Sequence, residues 1–258
     1  MDWSERIVFV TGASSGIGAA CARTFAAAGA RILVAARRGD RLAALSAELA
    51  TAAGGPRRVH QIALDVRDQP AVARAIASLP AEWSAIDVLV NNAGLSRGLA
   101  KLHEGELADW EEMIDTNVKG LLYVTRAVLP GMVARGRGHV INLGSIAGHE
   151  SYPGGNVYCA SKAAVKALTS GLRMDLVDTP IRVSTIDPGL VETEFSLVRF
   201  RGDAPRAAKV YAGLEPLTAE DVAEVVFFCA SRPPHVNLAE VLLLPAAQAS
   251  ATLVHRRT

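Results

Sequence analysis

Seven short apolar runs recur along the chain: IVFV (7–10), RILVAAR (31–37), VHQIALDV (59–66), IDVLVNNAG (86–94), GHVINLGS (138–145), IRVSTIDPG (181–189) and EVLLLP (240–245). They are rich in Val, Ile and Leu, as strands buried on both faces are. Between them lie stretches with apolar residues three and four apart: 15–28, 40–51, 69–80, 110–136, 156–176 and 218–230. That spacing predicts helices. Gly29 is a stop signal for the first helix, and Thr218 with Asp221 forms a capping-box pattern at the last. Strands that alternate with helices in this way predict a seven-stranded parallel sheet between two helical layers, an α/β three-layer sandwich.

No Pro-, Gly- or Ser-rich linker divides the 258 residues, so a single domain over 1–258 is expected. At half hydrophobic composition, such a chain buries about 70–75% of its unfolded surface. The least regular part is 189–217, GLVETEF to GLEPL. It follows a strand end, where ligands sit in this architecture, and is expected to cover the site as a flap. The tail ATLVHRRT reads as a packing arm or a frayed end.

A net charge of +1 gives no field to gather nucleic acid or anionic lipid. No apolar run approaches a membrane span. Neither partner is expected. The charged opening MDWSER runs directly into a strand and leaves no room for a signal peptide. Cys21, Cys159 and Cys229 are few and scattered, which suits a reducing, cytoplasmic location. No Cys/His group has ligand spacing, so no bound metal is expected.

TGASSGIG (11–18) joins the first strand to the first helix. Gly12, Gly16 and Gly18 allow a tight turn and close backbone approach. The helix start offers free N–H groups to a phosphate, and Ser14 and Ser15 add hydroxyls. The pattern predicts a dinucleotide site and lacks the Lys-Ser/Thr of a Walker loop. Strand two ends near Ala36 without the acid that would hold a free ribose hydroxyl; Arg37 and Arg38 follow. Two guanidinium groups suit a 2′-phosphate, so NADP is expected over NAD. Asp65 could accept from the adenine amino group, with Val66 against the ring, or cap the helix that follows. Asn91, Ala93 and Gly94 end strand four, where an amide can hold a loop and Gly94 keeps the approach to the ribose open.

Tyr158 and Lys162 stand one helical turn apart, on one face. Ser145 ends strand five. Asn117 lies inside the long fourth helix, where asparagine is unfavourable. A phenol, ordinarily near pKa 10, is a poor acid–base group at neutral pH unless an ammonium favours its ionised form. The cluster therefore suits hydride transfer at a carbinol carbon: Tyr158 moves the proton, Lys162 lowers the phenol and holds the ribose, and Ser145 binds the substrate oxygen. Asn117 would hold a water that links Lys162 to solvent. NLGSIAG is not a nucleophile elbow, and His103, His139 and His149 have no evident acid partner.

Taken together and in order, TGASSGIG, NNAG, Asn117, Ser145 and YCASK resemble the short-chain dehydrogenase/reductase pattern, over essentially the whole chain. The resemblance implies a Rossmann-type sheet, a Ser145–Tyr158–Lys162 site supported by Asn117, and a homotetramer. It also implies cofactor contacts from Ile17, Pro188, Gly189, Val191 and Thr193. A narrower similarity runs through SLPAEWSAIDVLVNNAGL, TRAVLPGMV, GGNVY and PGLVETEFSLVRF, to the NADP-dependent 3-hydroxy acid dehydrogenases, which include the serine and L-allo-threonine enzymes. It implies a small substrate with a carboxylate. Arg199 is one candidate clamp and Arg97 the rival; His149, Tyr152 and Phe195 could shape the pocket. The stretch AGHESYPGG departs from that group, which has a tryptophan where Glu150 stands. A carboxylate there could repel an acid substrate or pair with an amino group. The alternatives are a reductase of neutral ketones, aldehydes or secondary alcohols, and a catalytically silent NADP-binding scaffold.

Overall fold

The computed structural model describes residues 2–257; Met1 and Thr258, the outer ends of the opening hexapeptide and of the tail, lie outside it. Seven strands form one sheet in the order β3-β2-β1-β4-β5-β6-β7, all parallel. They are β1 (Ile7–Thr11), β2 (Arg31–Ala36), β3 (Val59–Ala63), β4 (Ile86–Asn91), β5 (His139–Leu143), β6 (Arg182–Pro188) and β7 (Glu240–Leu243). The helices are α1 (Gly16–Ala27), α2 (Gly39–Ala52), α3 (Gln69–Ala77), α4 (Leu107–Ile114), α5 (Leu121–Arg135), α6 (Asn156–Asp175), α7 (Phe195–Arg199), α8 (Ala204–Lys209) and α9 (Ala219–Ala230).

Strand residues alternate between two cores, as a two-residue period requires. Val8, Val10, Ile32 and Val34 pack with α1, α2 and α9. Ile7, Phe9, Leu33 and Leu89 pack with α3, α5 and Leu176 beyond α6. Each fully buried Val, Leu or Phe side chain contributes roughly 1.5–3 kcal/mol, so the two cores fix the sheet and leave its carboxyl edge free for chemistry. The chain runs outward from β1 to β3 and then returns to β4 beside β1, which opens a crevice at that edge.

The strands end sooner than expected. Asp65 and Val66, Gly144 and Ser145, and Gly189 all lie just past the ladder, on the loops of the carboxyl edge. The expected long helix over 110–136 is α4 and α5 joined by a π-helical stretch, Asp115–Gly120. Such insertions often mark functional positions. Here the wide turn carries Asn117, and Gly120 lies against Val66, where an added Cβ would stand 2.7 Å from Val66 Cγ2.

The capping box at α9 forms as expected. Thr218 Oγ1 accepts from Asp221 N (3.1 Å), and Asp221 Oδ2 accepts from Thr218 N (2.7 Å). Thr218→Ala is expected to cost about 1 kcal/mol, and so to lower Tm by about 2–4 °C. A thermal melt checks it, and an unchanged Tm would show that α9 does not depend on its cap.

The segment 189–217 contains α7 and α8, and a bridge from Val191 to Leu217 closes its base. The tail is a packing arm. Val254 bridges to Gln248, and Arg256 donates to the carbonyls of Val210 and Ala212. Gln248 accepts from Leu190 N (2.8 Å), which ties the arm to the start of that segment. Among the described residues no helix is long and apolar enough to cross a membrane.

Candidate active site

A cavity of about 480 Å³ opens at the carboxyl edge of the sheet and runs from the glycine-rich turn past Ser145, Tyr158 and Lys162 to Arg199. Gly12 (φ +65°) and Gly16 (φ +53°) take the left-handed conformation that glycine tolerates. A Cβ on Gly12 would stand 2.8 Å from Ala93 Cα, and one on Gly16 would stand 3.3 Å from Thr193 Cβ. The turn is thus wedged between the β4 exit and the segment after β6. Ser15 N-caps α1 without a side-chain bond to the helix. The amides there stay free for an anion. Ile17, Ala93, Gly94, Pro188, Gly189, Val191 and Thr193 line the same cavity, as expected.

Asn91 does not. Its amide donates to Thr125 Oγ1 and Asn142 Oδ1 (both 2.9 Å), inside the layer between sheet and helix. Asn92 holds the loop instead, donating to the carbonyls of Thr11 (3.0 Å) and Gly12 (3.2 Å), and it lines the cavity. Val66 is turned into the core against Gly120. Asp65 is not the cap of α3, which is Asp68. Its carboxylate pairs with Arg67 (2.6 Å).

The two arginines after β2 diverge. Arg37 faces Glu112 at 3.8 Å. Arg38 lies against the glycine-rich turn and donates to Ser15 Oγ (2.7 Å), to Ser14 Oγ (3.2 Å) and to Glu194 (3.0 Å). Glu194 also accepts from Arg41 (2.6 Å). Arg41 first and Arg38 second hold the Glu194 carboxyl below its usual range. Arg38 and Arg41 bring two guanidinium groups beside the turn, with Glu194 as their present partner; the Arg38 fork and the Ser14 and Ser15 hydroxyls are the donors that suit a phosphate. Nothing along the chain signals Glu194 and Arg41, because they meet only through the fold, 153 residues apart.

Ser145, Tyr158 and Lys162 converge. Ser145 Oγ accepts from Ala147 N (3.1 Å) and is 3.5 Å from the Pro188 carbonyl. Lys162 Nζ donates to the Leu143 carbonyl (2.8 Å) and lies 6.0 Å from the centre of the Tyr158 ring. Burial pushes the Lys162 ammonium down to about 8, with Asp187 opposing. The phenol does not follow the expectation. Burial, and then the Tyr152 hydroxyl, push Tyr158 well above its ordinary value, while Arg199 and Ser145 pull the other way. The nearer cation is Arg199, whose guanidinium lies 5.2 Å from the Tyr158 ring centre, against 6.0 Å for Lys162 Nζ. The phenol therefore carries its proton at ordinary pH, but burial makes it a weaker acid than a free phenol, and the Arg199 charge and the Ser145 hydroxyl are what counter that.

Asn117 is a brace. Its Oδ1 accepts from Leu95 N (2.8 Å), and its Nδ2 donates to Leu95 O (2.8 Å) and to Ser161 Oγ (3.0 Å). Both amide protons are engaged within the protein, so the expected water would meet this side chain only by donating to Oδ1. It ties the β4 exit loop to α6.

Of the substrate candidates, Tyr152, Phe195 and Arg199 line the cavity with Ser145. Arg199 donates to Ser96 Oγ (2.9 Å) and Tyr152 Oη (2.5 Å) and makes no ion pair among the described residues. Arg97, the rival clamp, is paired with Glu112 (2.7 Å) and donates to the Val198 carbonyl. Glu150 accepts from Ala251 N (2.9 Å) and anchors the tail instead of facing a substrate. His149 has an acid partner after all, Asp187 at 3.0 Å, and lies behind Ser145.

The sequence profile of the short chain dehydrogenase family matches residues 6–202. The chain is a short-chain dehydrogenase. It is 51% identical over 252 residues to the NADP-dependent 3-hydroxy acid dehydrogenase YdfG of Salmonella typhi, covering 97% of this chain and 99% of that one. It is 47% identical to sulfoacetaldehyde reductase 2 of Chromohalobacter salexigens, over 97% and 98%. Among solved structures, the closed form of a serine dehydrogenase complexed with NADP+ superposes with a TM-score of 0.92 at 48% identity, over 98% of this chain and all of that one. For this short-chain dehydrogenase, those likenesses and the anion cradle beside the glycine-rich turn point to the same kind of cofactor.

Proposed function

We propose that this short-chain dehydrogenase is an NADP-dependent enzyme that interconverts a hydroxyl and a carbonyl on small acids, at the carbon β to the acid group. The observation that carries this reading is Arg199: a guanidinium without an ion pair among the described residues, inside the reaction cavity and beside the Tyr158 ring. An anion held there would share the cavity with Ser145 and Tyr158, which then meet the carbon two bonds from the acid centre. A serine, L-allo-threonine or 3-hydroxypropionate type of substrate meets that demand. So does a two-carbon sulfonate aldehyde, whose sulfonate keeps the same spacing, and one relative is named for that reaction.

Bound NADP supplies hydride exchange with the substrate carbon. Ser145 binds the substrate oxygen, Tyr158 gives it a proton in reduction, and the Lys162 and Arg199 charges oppose the cost of ionising the buried phenol. Asn117 keeps α6 in place beneath them. The segment 189–217 covers the cavity as a flap, and the enzyme assembles as a homotetramer.

Arg38, in place of Arg37, is assigned to the 2′-phosphate. A charged hydrogen bond contributes roughly 1.5–3 kcal/mol. Arg38→Ala is therefore expected to weaken NADP binding about ten- to a hundred-fold and NAD binding little. Fluorescence titration with both nucleotides checks it, and equal weakening would remove Arg38 from phosphate recognition. The reading as a whole is tested by turnover of hydroxy acids against a neutral secondary alcohol, with NADP and NAD in parallel.

A further inference from the structure

Behind Ser145 lies a chain of charged groups that the reaction as described does not use. Asp187 is almost fully buried, with its side chain 2% exposed. It stands on β6 beside Gly144, because Leu143 pairs with Ile186 one residue earlier. Its Oδ1 occupies the place a Cβ on Gly144 would need. The Lys162 ammonium donates to the carbonyl of Leu143. The two opposite charges thus flank one peptide, Leu143–Gly144, directly before Ser145.

The carboxylate is held from two sides. Thr185 Oγ1 donates to Oδ1 (2.7 Å), and His149 Nε2 donates to Oδ2 (3.0 Å). His149 Nδ1 accepts from Lys166 Nζ (2.9 Å), which fixes the tautomer. Lys166 then meets Glu240 at 3.3 Å at the surface. His149, Asp187 and Glu240 come within 4.8 Å of one another in a metal-like grouping, and Lys166 supplies the cation among them.

We propose that Asp187 is a positioning residue for the acid–base pair: its carboxylate is the counter-charge that keeps the Lys162 ammonium protonated beside Tyr158, and the His149–Lys166–Glu240 arm holds that carboxylate in place. This rests on the reading of Tyr158 and Lys162 as the acid–base pair. A buried ammonium loses its proton readily without an opposite charge. The charges facing Lys162 and its partner are the Asp187 carboxylate from β6, the His149 and Lys166 groups behind it, and Arg199 across the Tyr158 ring.

The sign follows directly. Asp187→Asn removes the negative neighbour, so Lys162 loses its proton at lower pH. In the reduction direction, the alkaline limb of log kcat/KM against pH is expected to move down by about one unit, with the NADPH dissociation constant at pH ~6.5 little changed. Asp187→Glu should restore the limb. Lys166→Gln, at a half-exposed position, keeps an N–H donor for His149 Nδ1, so the arm still holds Asp187, but it removes a competing cation and should move the limb up by a few tenths of a unit. Titrating the Lys162 side chain by NMR without nucleotide should show the same two shifts with no turnover. A folded Asp187→Asn protein with an unmoved limb, or a downward shift in Lys166→Gln, overturns the proposal; if Asp187→Asn does not fold, the Lys166→Gln sign decides. Lys162→Ala separates the two levels. If it keeps full activity, the acid–base reading itself fails. If it loses activity while Asp187→Asn leaves the limb in place, only the role of Asp187 fails.

Discussion

Tyr158→Phe should lower kcat by about 10²–10⁴-fold, the usual reach of a positioned acid–base group, and leave NADP(H) binding within about twofold. The phenol lines the cavity beside Ser145, and its ring is held mainly by apolar packing. It packs with Phe195 at 5.6 Å between ring centres and among Leu95, Met113 and Cys159. Removing the hydroxyl therefore deletes the proton and little else. Steady-state rates with a semialdehyde and NADPH, together with a fluorescence titration of NADPH, read the two quantities separately. A variant of unchanged kcat would show that the proton comes from elsewhere; one that lost nucleotide binding would make Tyr158 a binding residue first.

Arg199→Ala should reduce kcat/KM for small hydroxy acids by about a hundred-fold. That is the value of two charged hydrogen bonds at the low end of roughly 1.5–3 kcal/mol each. Turnover of a neutral secondary alcohol should change several-fold at most. The ratio between the two substrates is the readout, because the substitution also frees Tyr152 and Ser96, which now accept from the guanidinium. Arg199→Lys should recover part of the loss, since it keeps the charge and loses the fork. If acid and neutral alcohol fall together, Arg199 supports the pocket and does not read the acid.

How far these features can be read without the fold differs by residue. The sheet, its parallel order and the glycine-rich turn follow from patterns within about ten residues, and so does the pairing of Tyr158 with Lys162 on one helix face. What escapes is whatever depends on how distant segments meet. Asn91 and Asn92 are adjacent, yet strand parity turns the first inward and leaves the second on the loop; the side facing Thr125 is visible only once α5 is packed. Arg37 and Arg38 diverge on the turn after β2, the first toward Glu112 and the second toward the glycine-rich turn. Arg97 stays a rival to Arg199 as the clamp until Glu112 is found beside it. His149 lacks a partner along the chain because Asp187 lies 38 residues away on β6. The phenol was expected to answer to the ammonium on its own helix, but burial dominates it, and the neighbouring cation comes from α7.

The measurement that tests the account most directly is the initial rate of reduced-nucleotide formation by the purified protein. NADP and NAD would be compared in parallel with L-serine, L-allo-threonine, 3-hydroxypropionate, 3-hydroxybutyrate, the methyl ester of 3-hydroxybutyrate and 2-propanol. The account predicts NADP-dependent turnover of the free acids and loss of most of it with the ester and the alcohol. Equal or better turnover of the ester and the alcohol would contradict it, and would leave Arg199 a structural cation in a reductase of neutral substrates.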